Sequence, residues 1–171
     1  MDLDGVVYIR DNDYPFFYAI NPNGTVKWKF STTCTRACNC ECGAANQCGA
    51  ACSQCTCSGC SRTPSSASPT VYGSHVYFGW DSNTLYALNT VNGSVHWKYT
   101  TEAYIEHGQP FVANDMVYIG SHDHYLYALN RADGRLMWKY DAGSGIRSSP
   151  VEVDGIVYVG SDDGTLHAVN T

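Results

Sequence analysis

Basic residues are scarce in this sequence, and those present are scattered rather than clustered. The 171-residue chain has 10 Lys and Arg against 16 Asp and Glu, which gives a net charge of −6 at pH 7. A protein that binds a phosphate backbone needs a concentrated positive surface. We therefore expect no nucleic acid partner.

Long apolar runs are also absent, and leucine is sparse. No stretch approaches the roughly 18 apolar residues that a membrane-spanning helix requires. The first residues, 1–5, have neither the basic flank nor the apolar core of a signal peptide. Val (14) and Tyr (13) outnumber Leu (7), which favours half-buried strands over helices. The composition predicts an all-β domain without a transmembrane segment.

A segment of about forty residues recurs along the chain. Residues 117–140 read VYIGS, then LYALN, Gly134 and WKY, and residues 76–99 repeat this order. The step from Trp97 to Trp138 is 41 residues. Several short alternating segments per unit at this period are typical of a β-propeller with four-stranded blades. The sequence thus predicts an all-β propeller of four-stranded blades with one irregular, cysteine-rich loop insert.

The copies at the two ends are partial. Residues 1–30 supply three of the four strands of a blade, and the last copy ends before its tryptophan-bearing strand. We divide the chain into a partial blade (1–30), a cysteine-rich insert (31–69) and two complete blades followed by a partial one (70–171). An open propeller has unpaired strand edges. We therefore expect either an excerpt of a larger propeller or self-assembly through the incomplete blades.

One tryptophan per repeat is expected to dock each blade on the next. These residues are Trp28, Trp97 and Trp138, and a small Ala at a fixed distance leaves room for each indole. Their spacing follows the repeat, which favours a structural role over ligand contact.

The pattern Ala-x-Asn-x-x-x-Gly-x-x-x-Trp, at 87–97 and 128–138, resembles the repeat of the pyrroloquinoline-quinone-like propellers. The resemblance covers nearly everything outside residues 31–69. It implies a member of a family that contains quinone-dependent alcohol dehydrogenases and non-catalytic scaffolds. Fold alone does not decide between these classes.

The sequence lacks the cysteine signature of the quinone-dependent dehydrogenases. The dehydrogenases that the chain resembles hold a quinone over calcium and cover it with a ring of two adjacent cysteines, and no Cys-Cys pair is present. We expect no cofactor and no catalytic residues. The leading hypothesis is a non-enzymatic module that binds a protein or a glycan. A fragment of a quinoprotein dehydrogenase and a structural subunit of an extracellular assembly are the alternatives.

All nine cysteines lie in the insert, which has no apolar core. They are Cys34, Cys38, Cys40, Cys42, Cys48, Cys52, Cys55, Cys57 and Cys60. The run from Cys52 to Cys60 looks like the C-x-x-C-x-C-x-x-C run of metallothioneins, so these thiolates can bind zinc or copper. A disulfide knot is the favoured alternative and fits an extracellular or periplasmic protein.

Two sequons support a secretory location. Asn23 and Asn92 begin Asn-Gly-Thr and Asn-Gly-Ser, which are acceptor sites for N-glycosylation in exposed turns. Structural Asn-Gly turns give the same pattern. The two interpretations remain open.

Four residues are candidate ligand contacts. Trp80 replaces the turn Ser of the next two repeats, so its indole is expected in an exposed turn, where it either stacks on a sugar or a partner or packs locally. Glu106, His107 and Arg147 precede the prolines that open the inner strands, and these strands line the channel of a propeller. These three residues form a candidate polar ligand site at the channel mouth, and paired surface charges are the favoured alternative.

Overall fold

The computed structural model describes residues 4–10, 16–31, 67–80 and 83–171. Their secondary structure consists of fourteen strands in four antiparallel sheets. None of these residues belongs to a helix long and apolar enough to cross a membrane. The prediction of an all-β propeller is confirmed.

Each sheet is one blade, and we number the strands in chain order. Blade 1 contains β1 (Val7–Arg10), β2 (Phe16–Ile20) and β3 (Val26–Ser31). Blade 2 contains β4 (Thr70–Tyr72), β5 (His75–Trp80), β6 (Thr84–Asn89) and β7 (Val95–Thr100). Blade 3 contains β8 (Phe111–Ala113), β9 (Met116–Gly120), β10 (Tyr125–Asn130) and β11 (Leu136–Asp141). Blade 4 contains β12 (Val151–Val153), β13 (Ile156–Gly160) and β14 (Leu166–Asn170).

Two blades have four strands and two have three, as the sequence predicts. Strands follow one another in chain order across every sheet. The short strand β8 also contacts β4 and β12, which begin the neighbouring blades. The first strands of blades 2 to 4 therefore lie side by side at the centre, and the later strands extend outward.

The pairing register places each repeat tryptophan opposite an alanine. The pairs are Ala19 with Trp28, Ala87 with Trp97, and Ala128 with Trp138. All three alanines are fully buried. A bulge follows each of them, which increases the local twist of the outer strand. The small side chain thus accommodates the indole within its own blade.

Apolar cores lie between consecutive blades, where the facing sides of two sheets bury their side chains. At the first interface, Phe17 of blade 1 stacks on Phe78 of blade 2 with ring centroids 4.0 Å apart. Leu85 and Ala87 of blade 2 pack with Ile119 and Leu129 of blade 3. The blades therefore stabilise one another in sequence, as expected for repeat proteins.

A specific contact locks consecutive blades. The indole Nε1 of Trp28 donates a hydrogen bond of 2.9 Å to the carbonyl oxygen of Thr90, and Trp97 does the same to Arg131. Both acceptors lie in the turn between the third and fourth strands of the next blade, which we call the receiving turn (residues 89–93 in blade 2 and 130–134 in blade 3). Trp138 differs, since its indole is only half-buried. It packs on Tyr118 of its own blade, as the other two indoles pack on the equivalent tyrosines.

Candidate functional site

One end of the propeller carries the sequence-predicted ligand residues. Connections 101–110 and 142–150 lead from one blade to the next, and turns 121–124 and 161–165 join the second and third strands. The connections and turns hydrogen-bond to each other, through His122 N to Tyr104 O (3.0 Å) and Asp162 N to Gly145 O (2.8 Å). We call these four segments the loop face.

Two isoleucines anchor the loop face on the blades. A β-carbon on Gly120 would lie 2.1 Å from Cγ2 of Ile146, and one on Gly79 would lie 2.4 Å from Cγ2 of Ile105. Both isoleucines are fully buried. The glycine that ends VYxG is therefore required because the following connection folds over it. The glycine is visible in the repeat pattern of the sequence, but the isoleucine that packs on it was not predicted.

Glu106 and His107 lie together, with His122 as a third member. Oε2 of Glu106 is 3.3 Å from Nε2 of His122 and 3.8 Å from Nε2 of His107. His107 has a positive φ of 57°, which is uncommon for a residue other than glycine. Glu106 is partly buried, whereas about half of the His107 side chain is exposed. This is a compact acid and imidazole cluster on the loop face.

Arg147 forms a separate ion pair. Its Nε lies 3.2 Å from Oδ2 of Asp162, and 53% of the arginine side chain is exposed. The backbones of the two connections are in contact, because a β-carbon on Gly108 would lie 3.0 Å from the carbonyl oxygen of Ser148. The connections that carry His107 and Arg147 thus run side by side.

The next turn residue, Asp123, has a supporting role. Its carboxylate accepts hydrogen bonds from the Tyr127 hydroxyl (2.7 Å) and from the amide of Glu102 (2.8 Å). Burial, together with the carboxylate it faces, raises the pKa of Tyr127. Tyr127 therefore remains a neutral donor that holds the turn against the connection between blades 2 and 3.

A half-open pocket of about 290 Å³ lies among the inner strands. It is lined by residues 70–72, 109–112 and 149–150. Gln109 spans it, because its side-chain amide donates to Thr70 Oγ1 (3.0 Å) and its main-chain amide donates to Ser149 Oγ (2.9 Å). These polar groups bond to each other, so they link three blades around the centre of the propeller.

The expected exposure of Trp80 is wrong, and its indole packs locally instead. The residue ends strand β5, only 7% of its surface is exposed, and it packs in the core between blades 1 and 2. The Arg10 guanidinium lies 4.7 Å from the centre of its ring. An arginine also occupies the position that is Gly79 or Gly120 in the next blades. At this end, blade 1 therefore presents a long arginine side chain in place of a glycine, and Trp80 packs beside it.

Two sets of predicted sites have little structural description. The cysteines from Cys34 to Cys60, with their predicted disulfides or metal ions, lie outside the described residues. No group of three or more His, Cys, Asp or Glu in the described ranges is arranged to hold a metal ion. Asn23 and Asn92 are exposed, and the side-chain oxygen of each accepts a hydrogen bond from the amide two residues later, at 3.0 Å. The sequons remain predictions.

Comparison with known proteins identifies the repeat. The family model described as outer membrane protein assembly factor BamB matches residues 18–171. The chain belongs to this family. This agrees with the resemblance to pyrroloquinoline-quinone-like repeats seen in the sequence. No curated protein sequence matches the chain significantly.

Solved structures show the same fold at low identity. BamB from Moraxella catarrhalis aligns with 99% of the chain at 19% identity and a TM-score of 0.72, but only 47% of that protein is covered. The computationally designed Ika4 protein aligns at 13% identity and a TM-score of 0.71, covering 99% of this chain and 87% of that one. The quinohemoprotein alcohol dehydrogenase ADHIIG from Pseudomonas putida HK5 aligns at 23% identity with 61% of the chain, 18% of its own length and a TM-score of 0.56. The chain spans about half the length of BamB.

Proposed function

We propose that this chain is a non-enzymatic binding module that presents its loop face to a protein partner in the periplasm or outside the cell. The observation that carries the proposal is an exposed loop face fixed to a rigid frame. Buried Ile105 and Ile146 anchor it below. Loops on such a scaffold are the usual positions of binding residues.

The exposed side chains of the loop face suit a protein interface. Tyr104 has 50% of its surface exposed, and Arg147 and His107 have about half of their side chains exposed. Tyrosine and arginine are enriched among the residues that contribute most to protein interfaces. The charged side chains of Glu106 and Arg147, each beside its own partners, would add selectivity for a complementary surface.

The family favours a protein over a glycan. Its description, an assembly factor of outer membrane proteins, implies protein partners and a location outside the cytoplasm. The argument for a glycan depended on an exposed indole at Trp80, and that indole is buried. A protein partner is therefore the better supported half of the sequence-based hypothesis.

Site-specific photo-crosslinking tests the proposal. A photoreactive phenylalanine analogue would replace Tyr104 or Arg147 in cells that make the protein, and Val91 would serve as the control. Val91 is 69% exposed and lies at the opposite end of blade 2. We expect one protein to crosslink from both loop-face positions and not from Val91. Equal crosslinking from Val91, or none from the loop face, would contradict the proposal.

A further inference from the structure

Blade 2 departs from the repeat at two positions, and both residues are histidines. His75 begins strand β5, and His96 is the second residue of strand β7. The same two positions of blade 3 are Met116 and Met137. Blade 2 therefore carries two imidazoles where the other complete blade carries two thioethers.

A bulge in blade 2 places His96 beside His75. On β7, Trp97 and Val95 pair with consecutive residues of β6, so His96 between them is the extra residue of the bulge. A bulge redirects the side chain of its extra residue. The two imidazole rings lie with their centroids 4.3 Å apart and their planes inclined by 32°.

This separation is close to that of two histidines that share a metal ion. An ion about 2.0–2.1 Å from one nitrogen of each ring would place the ring centres roughly 4.5–5 Å apart. His96 is exposed and His75 is half-buried. A small movement of the exposed ring is therefore enough, and an ion can enter from solvent.

Each imidazole uses one nitrogen for a hydrogen bond and keeps the other available. Nε2 of His96 lies 2.8 Å from the carbonyl oxygen of Ala132, in the receiving turn of blade 3. Because a carbonyl only accepts, Nε2 carries the proton and Nδ1 has the lone pair. Nδ1 of His75 lies 3.2 Å from Oγ of Ser74, which can accept its proton and leave the lone pair on Nε2. Metal-binding histidines are typically oriented by such a hydrogen bond from the second ring nitrogen.

The ligand set selects the class of ion. Imidazole nitrogens suit zinc, copper and nickel, whereas calcium and magnesium require oxygen ligands. The charge of Arg131 also acts on His75, although Asp115 pairs with that guanidinium at 3.2 Å. Two protein ligands beside a partly offset positive charge predict micromolar rather than nanomolar affinity.

We infer that His75 and His96 form a binding site for a divalent transition-metal ion of the zinc, nickel or copper class. Nε2 of His75 and Nδ1 of His96 are the protein ligands, and water completes the coordination. The site has two protein ligands, whereas the described ranges contain no group of three or more His, Cys, Asp or Glu suited to a metal. It lies at the end of blade 2 opposite the loop face, so failure of this inference leaves the proposed function intact.

Calorimetric titration of the full chain with Ni²⁺ tests the site. The cysteines of the insert are first stripped of metal with a chelator and then blocked with iodoacetamide, so that they do not contribute. We expect saturable micromolar binding of Ni²⁺ and no binding of Ca²⁺. His75→Gln and His96→Gln should each weaken Ni²⁺ binding at least tenfold, and the exposed turn variant His124→Gln should bind like the wild type. Circular dichroism checks that each variant remains folded.

Nitrogen-15 NMR of the wild-type chain tests the same ligands without a substitution. Addition of Zn²⁺ to the alkylated chain should shift Nε2 of His75 and Nδ1 of His96 and leave the rings of His107 and His122 unchanged. Absence of Ni²⁺ binding, binding that survives either substitution, equal binding of Ca²⁺, or shifts confined to other histidines would overturn the inference.

Discussion

The indole of Trp97 in blade 2 lies directly over Gly134 in blade 3. A β-carbon on Gly134 would lie 2.6 Å from Cδ2 of the indole, closer than non-bonded carbon atoms approach. The same relation holds between Trp28 and Gly93, at 2.7 Å. Both glycines also have positive φ angles, of 72° and 71°. Within one repeat motif, the Gly therefore contacts the Trp of the preceding blade, and the Trp contacts the Gly of the next blade.

Gly93→Ala should destabilise the protein more than Gly24→Ala. Both glycines occupy the same position of the repeat and have positive φ, so both changes introduce backbone strain. Only at Gly93 does the new methyl group collide with an indole, since the β-carbon position of Gly24 is open. We expect a difference of about 1–3 kcal/mol in the free energy of unfolding, as for overpacked sites. Urea denaturation measures it, and equal losses would show that the indole moves aside without cost.

Trp97→Ala should cost about 3–5 kcal/mol of unfolding free energy, because it empties a buried site between blades. It also leaves the Arg131 carbonyl without the indole donor. Trp138→Ala should cost less, since that indole is half-buried. Denaturant melts measure both changes. Equal losses of unfolding free energy for the two variants would contradict a stabilising role of the contact between Trp97 and blade 3.

Trp80→Ala should cost about 3 kcal/mol, in contrast to what an exposed turn residue would show. The reason is its burial in the core between blades 1 and 2, beside Phe78. Urea melts with the exposed Tyr104→Ala as control measure the effect. A loss below about 1 kcal/mol would mean that the indole is not packed in solution.

Acidification should destabilise the protein through His75. Burial lowers the pKa of His75, and the nearby charges of His96 and Arg131 lower it further. The unfolded chain therefore takes up a proton near pH 6.5 before the folded chain does, so this contribution is complete above that pH and is lost as the pH falls. The urea midpoint should drop between pH 7.5 and 5.5, and less so in His75→Gln. His124→Gln, at an exposed turn position, is the control, and an unchanged pH dependence in His75→Gln would refute the assignment.

The chain should not bind pyrroloquinoline quinone. The expectation follows from the lack of adjacent cysteines in the whole sequence and from a match to only 18% of the quinohemoprotein dehydrogenase. Titration of the quinone with calcium, followed by tryptophan fluorescence, measures binding. Saturation in the micromolar range would favour the alternative of a dehydrogenase fragment.

Deletion of residues 34–60 should preserve the β-sheet circular dichroism spectrum, because no cysteine lies in a repeat and inserts in surface connections are tolerated. Mass spectrometry of the non-reduced protein after alkylation distinguishes disulfides from bound metal ions in the insert. Eight bridged cysteines would indicate a disulfide knot, and nine thiols released with zinc or copper would indicate a cluster. Unfolding on deletion would show that the insert is part of the core.

The sequence by itself determined the fold and the strand count of each blade, because a forty-residue repeat of alternating residues leaves few other architectures. It also indicated that the repeat tryptophans are structural, since their spacing follows the repeat. The partners of those tryptophans were decided by tertiary structure, because Trp97 and Gly134 are 37 residues apart and no local pattern specifies which turn receives an indole.

The candidate site depended on tertiary structure even more strongly. The sequence placed Glu106, His107 and Arg147 at the channel mouth, but only packing showed that His122 joins the first two and that Asp162 pairs with the third. Trp80 looked exposed because turn positions usually are, yet the side chains of two blades meet over it. Contacts between blades are set by long-range packing. The repeat specifies the strands of each blade, but it does not specify how residues that depart from the repeat pack between blades.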